Sequence, residues 1–118
     1  MAEARARRLS RRLAAAPTHW NPLIRDAAGQ YIGRPDGWWE DVALAWEIDS
    51  VDFHFYREDY ARTLHRNNRY AATGIVVVQT LPSQLEKDPA RVLADLTSAY
   101  QEAKARPRPA VFLAPEAA

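Results

Sequence analysis

Three acidic residues in the first half of the chain could form a cation site. Asp36 ends an extended segment, and Glu47 and Asp49 occupy alternate positions at the end of an apolar run that begins at Val42. Side chains alternate between the faces of a strand, so Glu47 and Asp49 share one face. If that strand lies beside the Asp36 segment, the three carboxylates converge on one edge of a sheet. Crowded carboxylates repel each other and lose hydration, and a divalent cation is the most natural way to neutralise them.

Each acid could also have a purely structural role. Asp36 lies between Pro35 and Gly37, a context typical of turns. Asp49 could equally end its strand as a cap. Glu47 is harder to account for in this way, because an acid inside an apolar strand needs a partner. A functional role is therefore favoured most for Glu47.

The composition is that of one small globular domain. The chain has 118 residues, of which 47% are hydrophobic and 26% charged, and its net charge is +1. It contains no cysteine, which excludes disulfides and thiolate metal sites and is compatible with the cytoplasm, where we expect the protein. No apolar run has the length of a membrane span, and no hydrophobic region follows the Arg-rich start. We therefore predict neither membrane insertion nor a secretory signal.

The start of the chain is predicted to be a basic helix. Residues 2–16 are rich in Ala, Leu and Arg, and Pro17 ends the pattern. The helix, which we assign to a segment over residues 1–17, is either a solvated terminal helix or an arm that contacts nucleic-acid phosphates. Its arginines are Arg5, Arg7, Arg8, Arg11 and Arg12.

Extended segments follow and predict an antiparallel meander. Residues 23–33 have the strand and turn residues of a β-hairpin, and Pro35 limits the next segment to an edge or a strand end. Residues 42–48 form the third strand of the meander. The later apolar run over residues 75–78 predicts a central strand that is buried on both faces. Residues 111–113 could pair as an edge strand or dock on the surface.

Two longer helices are predicted in the second half of the chain. The first covers residues 57–73, with Gly74 as its C-cap. The second begins near Pro82 and is interrupted at Asp88-Pro89. It restarts there, with Asp88 as the N-cap and Pro89 at the first helical position. Its apolar residues recur at helical spacing, so it should lie on the sheet.

The first of these helices carries a basic stripe. Arg62, Arg66 and Arg69 recur at helical spacing, and we place them on the face opposite to Tyr60 and Leu64. The stripe is either a solvated helix face or a phosphate-facing surface next to the carboxylates.

The order of the elements predicts the fold class, which is α/β. A helix, a three-stranded meander, a helix, a strand and a helix succeed one another along the chain. The third strand of the meander, the helix over residues 57–73 and the strand over residues 75–78 form a β-α-β crossover, which should be right-handed with its two strands parallel. We therefore expect an α/β/α sandwich around a small mixed sheet over residues 18–106, with the extra N-terminal helix before it and a tail over residues 107–118.

The residues in this arrangement resemble a known family, the very short patch repair endonuclease-like domain of the PD-(D/E)xK, or restriction endonuclease-like, superfamily. The resemblance covers residues 21–100 and implies a restriction endonuclease-like α/β/α fold and a metal-dependent DNA endonuclease activity. The matching positions are Pro35-Asp36, Glu47-Ile48-Asp49-Ser50, His54, an Arg-bearing helix, Gly74 before its apolar strand, and Pro82 before Asp88-Pro89-Ala90.

The resemblance implies roles for individual residues. Asp36 and Glu47 would hold Mg²⁺, or Mn²⁺, together with the main-chain carbonyl of Ile48, and such hard oxygen ligands suit these ions. The bound metal would activate a water and stabilise charge on the phosphate. The usual lysine of the superfamily is replaced by Asp49, which would be a third ligand or orient a water. His54 would act as general base or contact a phosphate.

Several side chains around this site have a second possible role. His54, which lies among aromatic residues, could be a hydrogen-bonded structural histidine. His65 or Arg66, both on the helix, could supply the positive charge that the motif lysine would otherwise provide. Most of the tryptophans are predicted to lie in the core or at an interface, although exposed aromatic rings can also stack on bases. These are Trp38, Trp39 and Trp46.

Two functions are compatible with these residues. The first is a metal-dependent DNA endonuclease, acting alone, as a homodimer or with a partner protein. The second is a catalytically degenerate nuclease fold that acts as a nucleic-acid- or protein-binding regulatory module, similar to an antitoxin. The missing motif lysine and the near-zero net charge favour the second, whereas the carboxylate cluster favours the first, which we take as the prediction. A cleft plugged by Trp38 or by an arginine would support the binding module.

Overall fold

The computed structural model describes residues 2–49 and 57–115. No helix within these ranges is long and apolar enough to cross a membrane. The helices are α1 (Ala2–Ser10), α2 (Arg57–Thr73), α3 (Pro82–Lys87) and α4 (Pro89–Ala105). The strands are β1 (His19–Trp20), β2 (Ile24–Asp26), β3 (Tyr31–Gly33), β4 (Gly37–Trp39), β5 (Leu44–Ile48), β6 (Val76–Thr80) and β7 (Val111–Leu113).

The larger sheet has four strands in the order β1-β4-β5-β6. β4 pairs antiparallel with β1 and β5, whereas β6 lies parallel to β5. α2 lies between the two parallel strands in the chain, as we predicted for a β-α-β unit. The protein therefore has an α/β fold with a mixed sheet, in agreement with the order of elements predicted from the sequence.

A second sheet shows that the prediction of a single meander is wrong. β2 and β3 form the predicted hairpin, but they join β7 in a separate three-stranded sheet of order β3-β2-β7. The chain passes from this sheet to the larger one between Gly33 and Gly37. Pro35 lies in that connection, and because proline has no backbone N–H it interrupts the ladder. The edge strand considered for residues 111–113 is confirmed as β7.

β6 is an edge strand among the described residues and not the central strand predicted from its apolar run. It pairs with β5 alone. Its valines are half-buried, while Ile75 just before them is buried. β6 is apolar because the layers above and below the sheet cover both of its faces. Such burial does not require a neighbouring strand on each side.

The larger sheet separates two hydrophobic cores. One face carries Trp39, Leu44 and Trp46 and is covered by α1, α3 and α4. The opposite face carries Trp38 and Ala45 and is covered by the second sheet and α2. The predicted layer of helices is thus present on one side, whereas on the other side a helix and a small sheet share the layer. The tryptophans Trp38, Trp39 and Trp46 are buried, as predicted for core residues.

The terminal segments belong to these cores. α1 ends at Ser10, earlier than predicted, and buries Ala6 and Leu9 against α3 and α4. β7 buries Val111 in the opposite core. Residues 2–10 and 111–113 are therefore parts of the packed domain.

The predicted helix boundaries at Gly74 and Asp88 are confirmed. Gly74 has a φ of +84°, in the left-handed region that glycine adopts after a helix. The Asp88 carboxylate accepts the backbone N–H of Arg91 at 3.3 Å and so caps α4, which begins at Pro89.

A glycine on β3 allows the ring of Tyr70 to approach the strand closely. Tyr70 is fully buried. A Cβ atom at Gly33 would lie 2.5 Å from the Tyr70 hydroxyl oxygen and 2.7 Å from two of its ring carbons. Atoms do not approach so closely in a packed core, so any side chain at Gly33 would displace the ring.

We predict that Gly33→Ala destabilises the fold by about 1–3 kcal/mol, which is the typical effect of overpacking a core. The free energy of unfolding, measured by urea denaturation, checks this value. The ring is absent in a Tyr70→Leu background, so the same glycine substitution should cost less there. Equal costs in the two backgrounds would show that Gly33 and the ring are not coupled.

Candidate functional site

The predicted acids meet where β4 begins and β5 ends. Gly37 pairs with Trp46 in the β4–β5 hairpin, so Asp36 lies next to the end of β5. One oxygen of the Asp36 carboxylate accepts the backbone N–H of Ile48 at 2.7 Å. This bond joins the segment before β4 to β5, which is the arrangement that convergence of the acids requires.

Glu47 is a buried acid in an apolar strand, with 4% of its surface exposed. Because side chains alternate along β5, Glu47 points away from Trp46 and towards α2. Its Oε2 accepts the Tyr70 hydroxyl at 3.0 Å and lies 3.2 Å from Nε of Arg66. α2 therefore supplies the partner that an acid in this strand needs.

Asp49 shares that face and forms a bidentate ion pair with the same arginine. Its Oδ1 and Oδ2 each accept from a terminal nitrogen of Arg66 at 3.2 Å. Oδ2 also accepts the side-chain amide of Gln79 at 3.0 Å. The planar guanidinium group suits such bidentate contact with a carboxylate. One cation thus contacts two of the three acids.

Burial changes the proton affinity of this cluster. Loss of hydration raises the pKa of Glu47 to about 7, and the positive charge of Arg66 lowers it only in part. Loss of hydration likewise raises the pKa of Asp36, against the lowering effect of the Ile48 N–H. Burial by itself would lower the pKa of Arg66, but its hydrogen bonds with Asp49 and the charge of Glu47 raise it. Arg66 therefore keeps its positive charge.

A divalent cation does not fit this arrangement of the acids. Mg²⁺ and Mn²⁺ need several oxygens that converge on one position. Here Glu47 and Asp49 converge on Arg66, and Asp36 accepts the N–H of Ile48, whose carbonyl is the other predicted ligand. Across residues 2–49 and 57–115, no three side chains of His, Cys, Asp or Glu are placed to hold a metal ion. The predicted metal site would need Arg66 to move, and it stays a prediction.

The three arginines of the predicted stripe occupy different environments. Arg66 contacts the carboxylates, whereas His65, the other candidate for the missing cation, is exposed. Arg69 donates from Nε to the carbonyl of Ile32 at 2.9 Å. Arg62 is exposed. Their role in nucleic-acid binding stays a prediction, but they do not form one continuous basic face.

The first alternative for the stripe, a solvated helix face, is therefore wrong for Arg66. Tyr60 and Leu64, placed on the opposite face, are 50% and 45% exposed, while Tyr70 is buried and the Arg66 side chain is only 19% exposed. The sheet presents acids below α2, and a buried acid needs a donor. The helix consequently turns its donors, and not its most apolar residues, towards the sheet.

Two side chains of the site were missed by sequence analysis. Tyr70 lies four residues after Arg66, so helical spacing from a candidate cation was the signal that could have identified it. Gln79 pairs in register with Glu47, at the polar end of the apolar run in β6. His54, the predicted general base, lies outside the described residues.

The cavities next to the site are small. One of about 170 Å³ is lined by Asp49, Gln79, Thr80 and Leu81. A second, of about 240 Å³, is also lined by Gln79, together with Tyr70. Small-molecule sites usually have volumes of about 300–1,000 Å³. These two cavities therefore give no indication of a small-molecule substrate.

We predict a pH dependence of stability that comes from Glu47. Its pKa in the folded chain is about 7, above the ordinary value of 4.5. Between pH values equal to these two pKa values, Glu47 binds more protons in the folded state than in the unfolded state. The free energy of unfolding therefore falls as the pH rises through this window, by at most about 3 kcal/mol. Urea denaturation of wild type and Glu47→Gln across this window isolates the effect, because the glutamine does not titrate. A difference between the two proteins that stays constant with pH would contradict the prediction.

Comparison with known proteins identifies no relative. No family model, no curated protein and no solved structure matches this chain. The resemblance to the very short patch repair endonuclease-like domain therefore stays a prediction based on its short motifs. The geometry itself consists of an α/β fold with three neighbouring acids, two of which bind an arginine of α2.

Proposed function

We propose that this protein is a nucleic-acid-binding module in which a nuclease-like set of acids is held by an arginine and does not carry out metal-dependent hydrolysis. The observation that carries the proposal is the contact of Arg66 with both Glu47 and Asp49. The lysine expected in the motif is missing, and α2 brings a positive charge to the acids instead. An arginine in this position is the feature that favours binding over catalysis.

The contacts of Arg66 are difficult for a metal ion to replace. The side chains of Arg66 and Asp49 are each 19% exposed, and that of Glu47 is 5% exposed. Removing one partner of a buried ion pair typically costs about 3–5 kcal/mol, because the other charge stays buried. A metal ion would have to offset this loss before it could bind. The positive charge of Arg66 therefore compensates Glu47 and Asp49 without a metal ion.

The surface that supports nucleic-acid binding is the exposed side of α1 and the turn after it. Arg8, Arg11 and Arg12 are exposed, and none of them forms an ion pair within the part of the chain that the structure describes. Their spacing places them near one another. Ala6 and Leu9 anchor the helix in the core, so the three charges are held on a fixed surface. Phosphate oxygens could contact them without displacing an existing ion pair.

A metal-dependent DNA endonuclease is the second candidate. The observation in its favour is that burial and the charge of Asp36 raise the pKa of Glu47 to about 7, which suits it to accept a proton near neutral pH. For this function Arg66 would have to release Glu47 and Asp49, which together with Asp36 and the carbonyl of Ile48 are the ligands expected for Mg²⁺ or Mn²⁺. DNA would be the substrate, and a homodimer or a partner protein could complete the site.

We predict that neither Mg²⁺ nor Mn²⁺ binds to the wild type, whereas Mn²⁺ raises the melting temperature of Arg66→Met. Methionine has a similar reach but no charge, so the variant should lose about 3 kcal/mol, part of which a bound cation restores. Calorimetric titration measures binding, and a fluorescence melt with and without Mn²⁺ measures stabilisation. Arg91→Met, which removes an exposed ion pair with Asp95, is the matched control and should behave like wild type.

Cleavage of supercoiled and single-stranded DNA is followed on the same samples. The proposal predicts no cleavage by the wild type with either metal. Saturable Mn²⁺ binding and nicking by the wild type, both lost in Glu47→Gln, would establish the nuclease and overturn the binding module.

We also predict that duplex DNA binding depends on the exposed side of α1 and the turn after it. Replacing Arg8, Arg11 and Arg12 together by glutamine should weaken binding and reduce the slope of log K against log salt concentration by up to about 3, since each phosphate contact contributes about 0.9. Fluorescence anisotropy with a labelled duplex at several salt concentrations measures the slope. The double variant Arg91→Gln/Arg106→Gln removes arginines that pair with acids on α4 and should leave the slope unchanged. An equal loss in both variants would argue against a role for α1.

A further inference from the structure

The outer face of the three-stranded sheet carries a row of aromatic and arginine side chains. Arg25 on β2 pairs in register with Tyr31 on β3 and with Phe112 on β7. Directly paired residues place their side chains on the same face, so the three form one row across the sheet. Tyr31 and Phe112 are 46% and 54% exposed, and Arg25 is exposed as well. The neighbouring Ile24 and Val111 point the other way and are buried in the core.

The spacing of this row separates the two rings. Neighbouring strands of a sheet lie about 4.8 Å apart, so Tyr31 and Phe112, on the two outer strands, are about 10 Å apart with Arg25 between them. An irregularity in the β2–β3 register, next to Arg25, keeps Tyr31 outside while Ile32 is buried. The rings are therefore two separate flat surfaces with a positive charge between them.

A second arginine adds to the positive charge of this face. The guanidinium of Arg69, from α2, lies 5.4 Å from the centre of the Tyr31 ring. Arg69 and Arg25 donate to the main-chain carbonyls of Ile32 and Gly29, at 2.9 and 3.0 Å. These bonds hold the guanidinium groups in place without neutralising them. Neither arginine forms an ion pair with an acid in the described ranges.

We propose that this face binds single-stranded nucleic acid, with bases stacked on Tyr31 and Phe112 and with phosphates next to Arg25 and Arg69. Aromatic surfaces beside positive charge are the arrangement by which proteins bind single strands with little sequence preference. The bases must be unpaired, because the faces of paired bases are already stacked within the duplex. An apolar protein surface is less compatible with this face, since it would bury two arginine charges that no acid among the described residues neutralises.

This inference goes beyond the proposed function because it concerns a different surface. α1 belongs to the core on one side of the larger sheet, and the three-stranded sheet belongs to the core on the opposite side. The acids that bind Arg66 are not part of the row either. The inference therefore does not depend on whether the acids bind a metal or whether α1 binds a duplex.

Fluorescence anisotropy with labelled oligomers tests the inference on the full chain. Oligo-dT and oligo-rU of about ten nucleotides match the size of a small single-strand site, and an abasic oligomer of the same length keeps the phosphates without the bases. We expect the wild type to bind at least one base-containing oligomer at least about fivefold more tightly than the abasic one. Tyr31→Leu and Phe112→Leu should each weaken that binding by at least about fivefold and leave binding of the abasic oligomer unchanged.

Matched controls separate stacking from general effects. Tyr60 is a tyrosine of similar exposure, 50%, on α2, and Tyr60→Leu should leave the affinity unchanged. Arg25→Gln should reduce the salt slope for the single strand by about 0.7, the contribution of one phosphate contact. Equal affinity for abasic and base-containing oligomers would overturn the inference. So would an unchanged affinity in both Tyr31→Leu and Phe112→Leu, with circular dichroism showing that both variants are folded.

The failure of this inference is distinguishable from failure of the proposed function. The variant in which Arg8, Arg11 and Arg12 are replaced by glutamine should keep single-strand binding and bind the duplex more weakly. Tyr31→Leu should bind single strands more weakly and keep duplex binding. Single-strand binding that is lost in the triple arginine variant and kept in Tyr31→Leu would overturn the inference and leave the role of α1 intact.

Discussion

The contact of the Arg66 guanidinium with Glu47 and Asp49 is the interaction that places α2 on the sheet. Glu47 lies in an apolar strand, where an isolated negative charge would be strongly unfavourable. α2 compensates this charge with two donors one helical turn apart, Arg66 and Tyr70, which both reach Glu47. Polar contacts therefore set the position of α2 on the sheet. Its apolar residues Tyr60 and Leu64, which are exposed, contribute little to this position.

The same constraint accounts for other unusual features of this region. A helix has one face to turn towards a sheet, and here donors occupy it, so Tyr60 and Leu64 remain exposed. The ring of Tyr70 needs room beside β3, which the missing side chain of Gly33 provides. On β6, Gln79 donates to Asp49 and completes its contacts. These residues support a charge cluster, and that role accounts for their chemistry without assigning any of them a catalytic step.

Much of the local structure could be predicted from the sequence because local physics decides it. The helix boundaries at Gly74 and Asp88 follow from a left-handed glycine and a capping carboxylate, and strand alternation places Glu47 and Asp49 on one face. The acids and a candidate cation, Arg66, could likewise be identified by residue type. The pairing between them could not, because it depends on how α2 crosses β5.

The errors concern contacts between segments that are distant in the chain. Spacing along α2 could not decide whether the arginine stripe is solvated, since the burial of Arg66 depends on acids that precede the helix. The apolar run of β6 indicated burial but not the number of neighbouring strands. The division into two sheets depends on the pairing of β2 with β7, for which neither segment carries a local signal. Tertiary pairing of this kind overrides local preference.

The pairing of β2 with β7 also has a consequence for folding during synthesis. Ile24 pairs with Leu113, so one of the first strands to be made needs the strand that the ribosome makes after all the other described elements. Until then the core around Ile24, Ile32 and Trp38 lacks Val111. Closing so long a loop costs chain entropy before the pairing is gained, which slows this step. The nascent chain can therefore form its helices and the larger sheet first. Its second sheet is completed only after the segment that contains β7 has left the ribosome.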